Sequence, residues 1–112
     1  MYLGEVCILT GDVPRLAAWY RALLGIEGEN ADDMHQTVIG TEPMLTILRA
    51  EENDRGQNMC IAFTVADMAQ AFAHVQKIGA EVLEPPVKRP WGAVNMILRD
   101  PDGNRVYLRQ LP

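Results

Sequence analysis

Residues 5–25 read EVCILTGDVPRLAAWYRALLG, and this stretch decides the fold because a strand leads directly into a capped helix. Its first part alternates as a β-strand does, with Val6, Ile8 and Thr10 on one face and Glu5, Cys7 and Leu9 on the other. Asp12 is a favourable N-cap residue, and Pro14 falls in the first helical turn, where its missing N–H costs nothing. Apolar residues then recur at helical spacing up to Gly25, a typical helix stop.

The same strand-to-helix order returns in the second half of the chain. Residues 59–65 alternate as a strand, Asp67 is the predicted cap of a second helix, and Gly79 is its predicted stop. Short strands are also predicted at residues 37–39, 44–48, 81–83, 93–98 and 106–108. A polar loop, residues 51–58, separates the halves, and residues 100–104, DPDGN, form a turn.

An internal repeat connects these two halves. The two caps, Asp12 and Asp67, are 55 residues apart, and the same offset places apolar positions on apolar positions. It carries Glu5 onto Cys60, Ile8 onto Phe63, Val13 onto Met68 and Leu23 onto Ile78. The chain is therefore predicted to be one α+β domain of two modules, about residues 1–52 and 58–112. One helix can cover only one face of each sheet, which leaves the other face free to line a cavity.

Composition narrows the class of protein. The 112 residues are the size of one domain, and 48% apolar with 22% charged residues suits a packed core. No stretch approaches the ~20 apolar residues of a membrane span, and the first residues lack a basic signal region, so we expect a cytoplasmic protein and no membrane partner. A net charge of −5 argues against nucleic acid as a partner. Cys7 and Cys60 are expected to be free thiols.

Three motifs carry a resemblance to a known family. Residues 11–13 (GDV), 19–20 (WY) and 23–25 (LLG) resemble the strand-to-helix opening of the vicinal oxygen chelate superfamily, which includes glyoxalases, bleomycin-resistance proteins and extradiol dioxygenases. Residues 99–104 (RDPDGN) look like its closing turn, and residues 90–92 (PWG) precede that turn as in bleomycin-resistance-like members. The resemblance implies two tandem βαβββ modules that form an open, curled mixed sheet, with a helix on the outer face of each module. It also implies a homodimer whose chains complete each cup.

The resemblance also identifies four positions where metal-dependent members hold a divalent ion. They fall on Glu5, Thr46, Cys60 and Tyr107, and no His stands at any of them. Threonine and neutral tyrosine are poor ligands for the ions such sites hold. The two histidines, His35 and His74, have no partners at ligand spacing and are read as structural or surface residues. We therefore expect no metal, no other cofactor and no metal-dependent catalytic residue.

The candidate ligand-binding residues are Glu5, Thr46, Cys60, Trp91 and Tyr107. Glu5 is either a binding or proton-accepting carboxylate in the cup, or a solvated residue paired with an arginine such as Arg105 or Arg109. Tyr107 either donates a hydrogen bond to a ligand or fills space. Trp91, after the proline-rich residues 85–90, is either an aromatic wall for a flat ligand or a hydrophobic plug. Trp19 and Tyr20 are read as core or dimer packing.

These residues lead to a function hypothesis with two alternatives. The first hypothesis is a metal-free small-molecule binding protein of the bleomycin-resistance type, which would confer antibiotic resistance. It would sequester an apolar or aromatic compound, and cationic ones are favoured by the acidic net charge. One alternative is a lyase, isomerase or dioxygenase relative that uses Glu5 as a base, with or without a weak metal. The other is a ligand-sensing module without chemistry, since the fold alone does not decide function.

Overall fold

A computed structural model describes residues 3–52 and 60–112 of the chain, which form two helices and seven strands. In chain order the elements are β1 (Glu5–Thr10), α1 (Val13–Leu24), β2 (His35–Ile39), β3 (Met44–Arg49), β4 (Ile61–Thr64), α2 (Met68–Lys77), β5 (Glu81–Lys88), β6 (Val94–Arg99) and β7 (Arg105–Gln110). The chain separates into two compact units, Met1–Gly56 and Gln57–Pro112, which we call the first and second modules. The predicted Tyr2 and Met59 strand ends, and most of the loop at 51–58, lie outside the described residues.

The first module has an open mixed sheet in the order β1-β3-β2, where β1 and β3 are parallel and β2 and β3 antiparallel. Helix α1 packs on β2 and β3. Its buried side chains include Leu16 and Tyr20, and Ile8 and Ile47 are buried on the sheet side. Burying these apolar side chains away from water stabilises the module, as the predicted alternation requires.

Both ends of α1 follow the predicted chemistry. The Asp12 carboxylate accepts a hydrogen bond from the backbone N–H of Arg15 at 3.2 Å, which satisfies one of the unpaired N–H groups of the first turn. Gly25 has a φ of 68°, in the left-handed region that closes helices and favours glycine, and its N–H donates to Ala22 O. The helix therefore begins and ends where the sequence indicates.

The second module repeats the plan with one more strand. Its open sheet runs β4-β7-β6-β5, with β4 and β7 parallel and the other pairs antiparallel. Asp67 caps α2 by accepting from Gln70 N at 3.2 Å, and Gly79 follows the helix with a φ of 73°. The predicted turn is also present: the buried Asp100 carboxylate accepts from the backbone N–H groups of Asp102 and Asn104 at 2.9 and 2.8 Å.

Strand register confirms the internal repeat at the level of single residues. In the first module Cys7 pairs with Thr46, and in the second Ala62 pairs with Tyr107. Cys7 and Ala62 are 55 residues apart, as predicted, whereas Thr46 and Tyr107 are 61 residues apart. Of the six additional residues, one falls between β6 and β7, and five fall in the part of the second module that contains β5, because Ile97 stands 60 residues after its counterpart Thr37. Residues 26–34, which occupy the corresponding part of the first module, form no strand.

The strand predicted at residues 81–83 was too short. β5 extends from Glu81 to Lys88 and includes Pro85 and Pro86, which were assigned to a loop. Proline lacks the N–H that a central strand needs, but β5 lies at the sheet edge, and its register to β6 shifts between Glu84 and Val87. An edge position and a bulge therefore accommodate both prolines.

Within the described part of the chain, neither helix has the length and hydropathy needed to cross a membrane.

Candidate functional site

Each sheet has one face that its own helix does not cover, and we call this the helix-free face. In the first module it carries the side chains of Glu5, Cys7, Leu9, Met44, Thr46, Leu48 and, from β2, His35 and Thr37. In the second module it carries those of Ala62, Thr64, Asn95, Ile97, Arg99, Arg105, Tyr107, Arg109 and, from β5, Glu81, Glu84 and Val87. Helix packing marks the other face: Gln110, next in sequence to Arg109, accepts a hydrogen bond from Met68 N at the start of α2, at 2.6 Å.

Glu5 and Thr46, two of the predicted site residues, are in direct contact on the first of these faces. The Thr46 hydroxyl donates a hydrogen bond to Glu5 Oε2 at 2.8 Å. Thr46 is only 1% exposed, while Glu5 is exposed at the start of β1. A buried hydroxyl that is held by its strand orients the carboxylate and leaves Oε1 without a partner among the described residues.

The surroundings of this pair on β1 and β3 are apolar. Cys7, Leu9 and Met44 are partly exposed on the same face, and Leu48 is 38% exposed. On the β2 side the face is polar: His35, the first residue of β2, pairs with Leu48, and Thr37 pairs with Thr46. The helix-free face of the first module thus has an apolar strip on β1 and β3 with one oriented carboxylate.

The other three predicted residues belong to the second module. Tyr107 is half-buried in the middle of β7, between Ala62 and Ile97 in the register. Cys60 is an exposed free thiol that precedes β4 by one residue. Trp91 lies in the turn between β5 and β6, which Arg89 N closes by donating to Ala93 O at 2.7 Å. At 67% exposure, Trp91 lies outside the core of this module.

Trp19 and Tyr20 pack together as the core interpretation suggests. Their rings meet edge to face with centroids 4.9 Å apart, and Tyr20 is fully buried. Geometry of this kind is favourable between aromatic rings.

The sequence interpretation overlooked three polar residues on the helix-free face of the second module, namely Asn95, Arg105 and Arg109. The two arginines had been considered only as partners for Glu5. Arg109 instead donates from Nε to Thr64 Oγ1 at 3.0 Å. Asn95 Oδ1 is buried and has no hydrogen-bond donor among the described residues. The alternation of β7 about Tyr107 already places both arginines on its face, so the signal was present in the sequence.

The four positions that correspond to family metal ligands do not fit a divalent ion. Thr46 uses its hydroxyl hydrogen to bond Glu5, and Tyr107 is a poor ligand when neutral. Glu5 is the only carboxylate of the four. In the described ranges, no three His, Cys, Asp or Glu side chains are grouped so that they could hold a metal.

A groove of about 760 Å³ lies beside α1 in the first module and is bordered by Arg21, Gly28 and Asn30. Arg21 is 9% exposed, and its guanidinium donates to Gln36 Oε1 at 2.6 Å, to Asn30 Oδ1 at 3.3 Å and to Thr37 O at 3.3 Å. Gly28 lies so close that an added Cβ would be 2.7 Å from Arg21 Nε. These contacts attach the segment before β2 to α1, which makes Arg21 a structural residue.

The fold and these faces define a class of small α+β proteins built from paired modules. A family model matches the chain in sequence, and solved structures match it in fold. The family model for the Glyoxalase/Bleomycin resistance protein/Dioxygenase superfamily matches residues 2–108, and the chain belongs to this superfamily. The expected resemblance is therefore confirmed. No protein among the curated ones matches the sequence.

Solved structures share the fold at low identity. One, described as a conserved domain protein, is 22% identical with a TM-score of 0.85, and all of both chains is covered. A glyoxalase/bleomycin resistance protein/dioxygenase family enzyme from Burkholderia phytofirmans PsJN is 15% identical with a TM-score of 0.82, again over all of both chains. A glyoxalase/bleomycin resistance protein from Catenulispora acidiphila DSM 44928 is 21% identical with a TM-score of 0.75, over 96% of each chain.

Proposed function

We propose that this protein is a metal-free small-molecule binding protein of the bleomycin-resistance type, which confers resistance by sequestering its ligand. The observation that supports this most strongly is the Glu5 carboxylate, oriented by buried Thr46 beside the apolar strip of β1 and β3. Binding sites of this kind gain affinity from apolar area and orientation from a few polar groups.

The surroundings of Glu5 indicate the kind of ligand. Leu9, Met44 and Leu48 offer apolar contact area, and Glu5 is the acidic group among them. An apolar or aromatic compound with a cationic group would cover the leucines and place its charge at Oε1. A cation beside a carboxylate is attracted to it, and the attraction is stronger where apolar contact excludes water.

Cys60, Tyr107 and Trp91 are the residues of the second module that we assign to ligand binding. Trp91 supplies a large exposed aromatic surface, and Tyr107 supplies a hydroxyl. Superfamily membership supports a homodimer with the ligand in a cup at the dimer interface. Light scattering should then give a mass of about twice 12.5 kDa, whereas a monomer at all concentrations would contradict the dimer.

The second candidate function is an enzyme, a lyase or isomerase, in which Glu5 acts as the base. The uncommitted Oε1 atom favours it, because Thr46 holds the carboxylate in place while Oε1 can take a proton from a substrate. Binding without conversion of the compound over hours, measured by mass spectrometry, would contradict this candidate and leave the binding protein.

A matched pair of probes tests the leading proposal. N-methylquinolinium and 1-methylnaphthalene have the same shape, but only the first is charged, and ligand-observed NMR measures their binding. In Glu5→Gln, affinity for the cation should fall about tenfold, or ~1.4 kcal/mol, while that for the hydrocarbon should stay within about twofold. Glu29→Gln, an exposed carboxylate on the segment before β2, is the control and should change neither. Equal losses for both probes in Glu5→Gln would overturn the role of Glu5.

A further inference from the structure

Side chains on the helix-free face of the second module are arranged in cross-strand rows. One row contains Thr64, Arg109 and Asn95, which are register partners on β4, β7 and β6. The next row contains Ala62, Tyr107 and Ile97, and a third pairs Arg105 with Arg99. Neighbouring side chains within a row are about 4.5–5.5 Å apart at Cβ, so Arg109 and Asn95 can contact one ligand together.

The charges on this face are not balanced. Both carboxylates that β5 places on this face have arginine partners: Glu81 contacts Arg99 at 3.8 Å, and Glu84 contacts Arg89 at 2.6 Å. Arg105 and Arg109 are both exposed, and neither has a carboxylate partner in the part of the chain that the structure describes. Two guanidinium groups without counter-charges therefore lie on the same face of β7.

Arg109 is oriented for binding an anion. Its Nε donates to Thr64 Oγ1 at 3.0 Å, which fixes one edge of the planar guanidinium and leaves both Nη groups available. A guanidinium presents parallel N–H groups that match the two oxygens of a carboxylate or phosphate. Thr64 is exposed, unlike the buried Thr46, so this bond orients the Arg109 guanidinium at the surface of the sheet.

Asn95, the neighbour of Arg109 in the row, lacks a donor. Its Oδ1 is buried without a hydrogen-bond donor from residues 3–52 or 60–112. A buried acceptor without a partner is unfavourable, and such groups in native proteins generally find one. A rotation of the Asn95 side chain that brings Oδ1 to the surface of the helix-free face would let a ligand hydroxyl or amino hydrogen satisfy this acceptor.

We propose that the helix-free face of the second module binds a small anion whose carboxylate or phosphate carries an adjacent hydroxyl or amino group. Arg109 binds the anionic group, Arg105 adds a second positive charge, and Asn95 Oδ1 accepts from the adjacent donor. Tyr107, between the two arginines on β7, borders the same surface. The inference rests on the proposed small-molecule function and names the chemical class that the second module selects.

Isothermal titration of the full chain with glycolate, acetate and inorganic phosphate tests this proposal. Glycolate and acetate share a carboxylate, but only glycolate has the adjacent hydroxyl. We expect phosphate and glycolate to bind, and glycolate to bind about fivefold more tightly than acetate, since one more hydrogen bond forms to a buried acceptor. No binding of glycolate and phosphate would overturn the proposal.

Three variants separate the contributions, with far-UV circular dichroism as the check on folding. Arg109→Gln should weaken glycolate and phosphate about tenfold, because it removes the charge-assisted pair. Asn95→Leu should remove the preference for glycolate over acetate while acetate binding persists. Arg49→Gln, an exposed arginine of the first module, is the matched control and should change nothing. A loss in Arg49→Gln as large as in Arg109→Gln would show nonspecific charge attraction and overturn the site.

The outcome is distinguishable from failure of the function proposed above. If N-methylquinolinium binds in a Glu5-dependent way but no anion binds, only the anion proposal fails. If anions bind through Arg109 but the cation does not bind, the proposal for Glu5 fails and the anion site stands.

Discussion

The two modules share their backbone pairing and differ in the side chains of their helix-free faces. Cys7–Thr46 and Ala62–Tyr107 are equivalent pairs, yet their neighbours on β1, β3 and β7 differ. The first module has leucine, methionine and one glutamate there, and the second has two arginines without a carboxylate partner among the described residues. On the covered faces the apolar character is kept, for example at Ile47 and Leu108. Packing thus constrains one face of each sheet, while the other can change its chemistry.

This difference also shows what net charge conveys. The chain carries −5 overall, which led us to favour cationic ligands. Exposed charges are screened over about 8 Å at physiological ionic strength, so the charges beside a ligand outweigh the distant ones. On the second module those charges are Arg105 and Arg109, which favour anions.

Substitutions at equivalent covered positions should have the largest effect on stability. Ile47 pairs with Ile8, and Leu108 pairs with Phe63, so Ile47 and Leu108 are structural counterparts. Each is at most 4% exposed. Ile47→Ala and Leu108→Ala should each lower the free energy of unfolding by about 2–5 kcal/mol through lost contacts and a cavity.

Urea denaturation measures both values, and Leu48→Ala is the matched control. Leu48 neighbours Ile47 but lies on the helix-free face at 38% exposure, so its loss should be under about 1 kcal/mol. Equal losses at Ile47 and Leu48 would remove the distinction between the two faces.

A smaller effect on stability is expected at Gln36 of the first module, which has a charged partner. It accepts from the buried Arg21 guanidinium at 2.6 Å. Gln36→Leu should lower the unfolding free energy by about 1.5–3 kcal/mol, because it removes the acceptor with the shortest of the three hydrogen bonds of a buried guanidinium. Thr37→Ala keeps the backbone carbonyl that Arg21 also uses and serves as the control. An unchanged free energy of unfolding in Gln36→Leu would contradict this, and would mean that water replaces the lost acceptor.

The smallest effect concerns pH and the start of β2. The backbone N–H groups of Met34 and His35 donate to Asp32 Oδ1 at 2.8 and 3.1 Å and lower the pKa of this carboxyl below its ordinary value. A lowered folded pKa adds stability above the unfolded pKa, and that stability is lost as pH falls through the folded value. NMR titration of Asp32 should show the lowered pKa. In denaturation experiments, the wild-type protein should be more stable than Asp32→Asn at neutral pH and should lose this difference in stability at acid pH. An Asp32 that titrates at or above its ordinary value would contradict this assignment.

Sequence patterns sufficed where local chemistry decides the structure. Asp12, Gly25 and Asp67 cap their helices because the ends of a helix have unpaired backbone N–H and C=O groups in any fold. Side-chain oxygens and a left-handed glycine satisfy these groups locally. Strand β5 was predicted only for residues 81–83, because whether a strand accepts prolines depends on its lying at a sheet edge, which is a tertiary property.

The candidate site was predicted only in part, because the rest of it also depends on tertiary structure. Glu5 and Thr46 were both named, but their hydrogen bond depends on the β1–β3 register, and no local signal sets that register. Asn95 was missed because its unsatisfied oxygen is visible only once its surroundings are known.

The central claim, that the two helix-free faces select opposite charges, is tested most directly by titrating three proteins with two probes. Wild type, Glu5→Gln and Arg109→Gln are each titrated with N-methylquinolinium and with glycolate under the same buffer conditions. We predict that Glu5→Gln weakens the cation about tenfold and leaves glycolate unchanged, and that Arg109→Gln does the reverse. Parallel losses of both probes in either variant, or no loss in both variants, would contradict the claim.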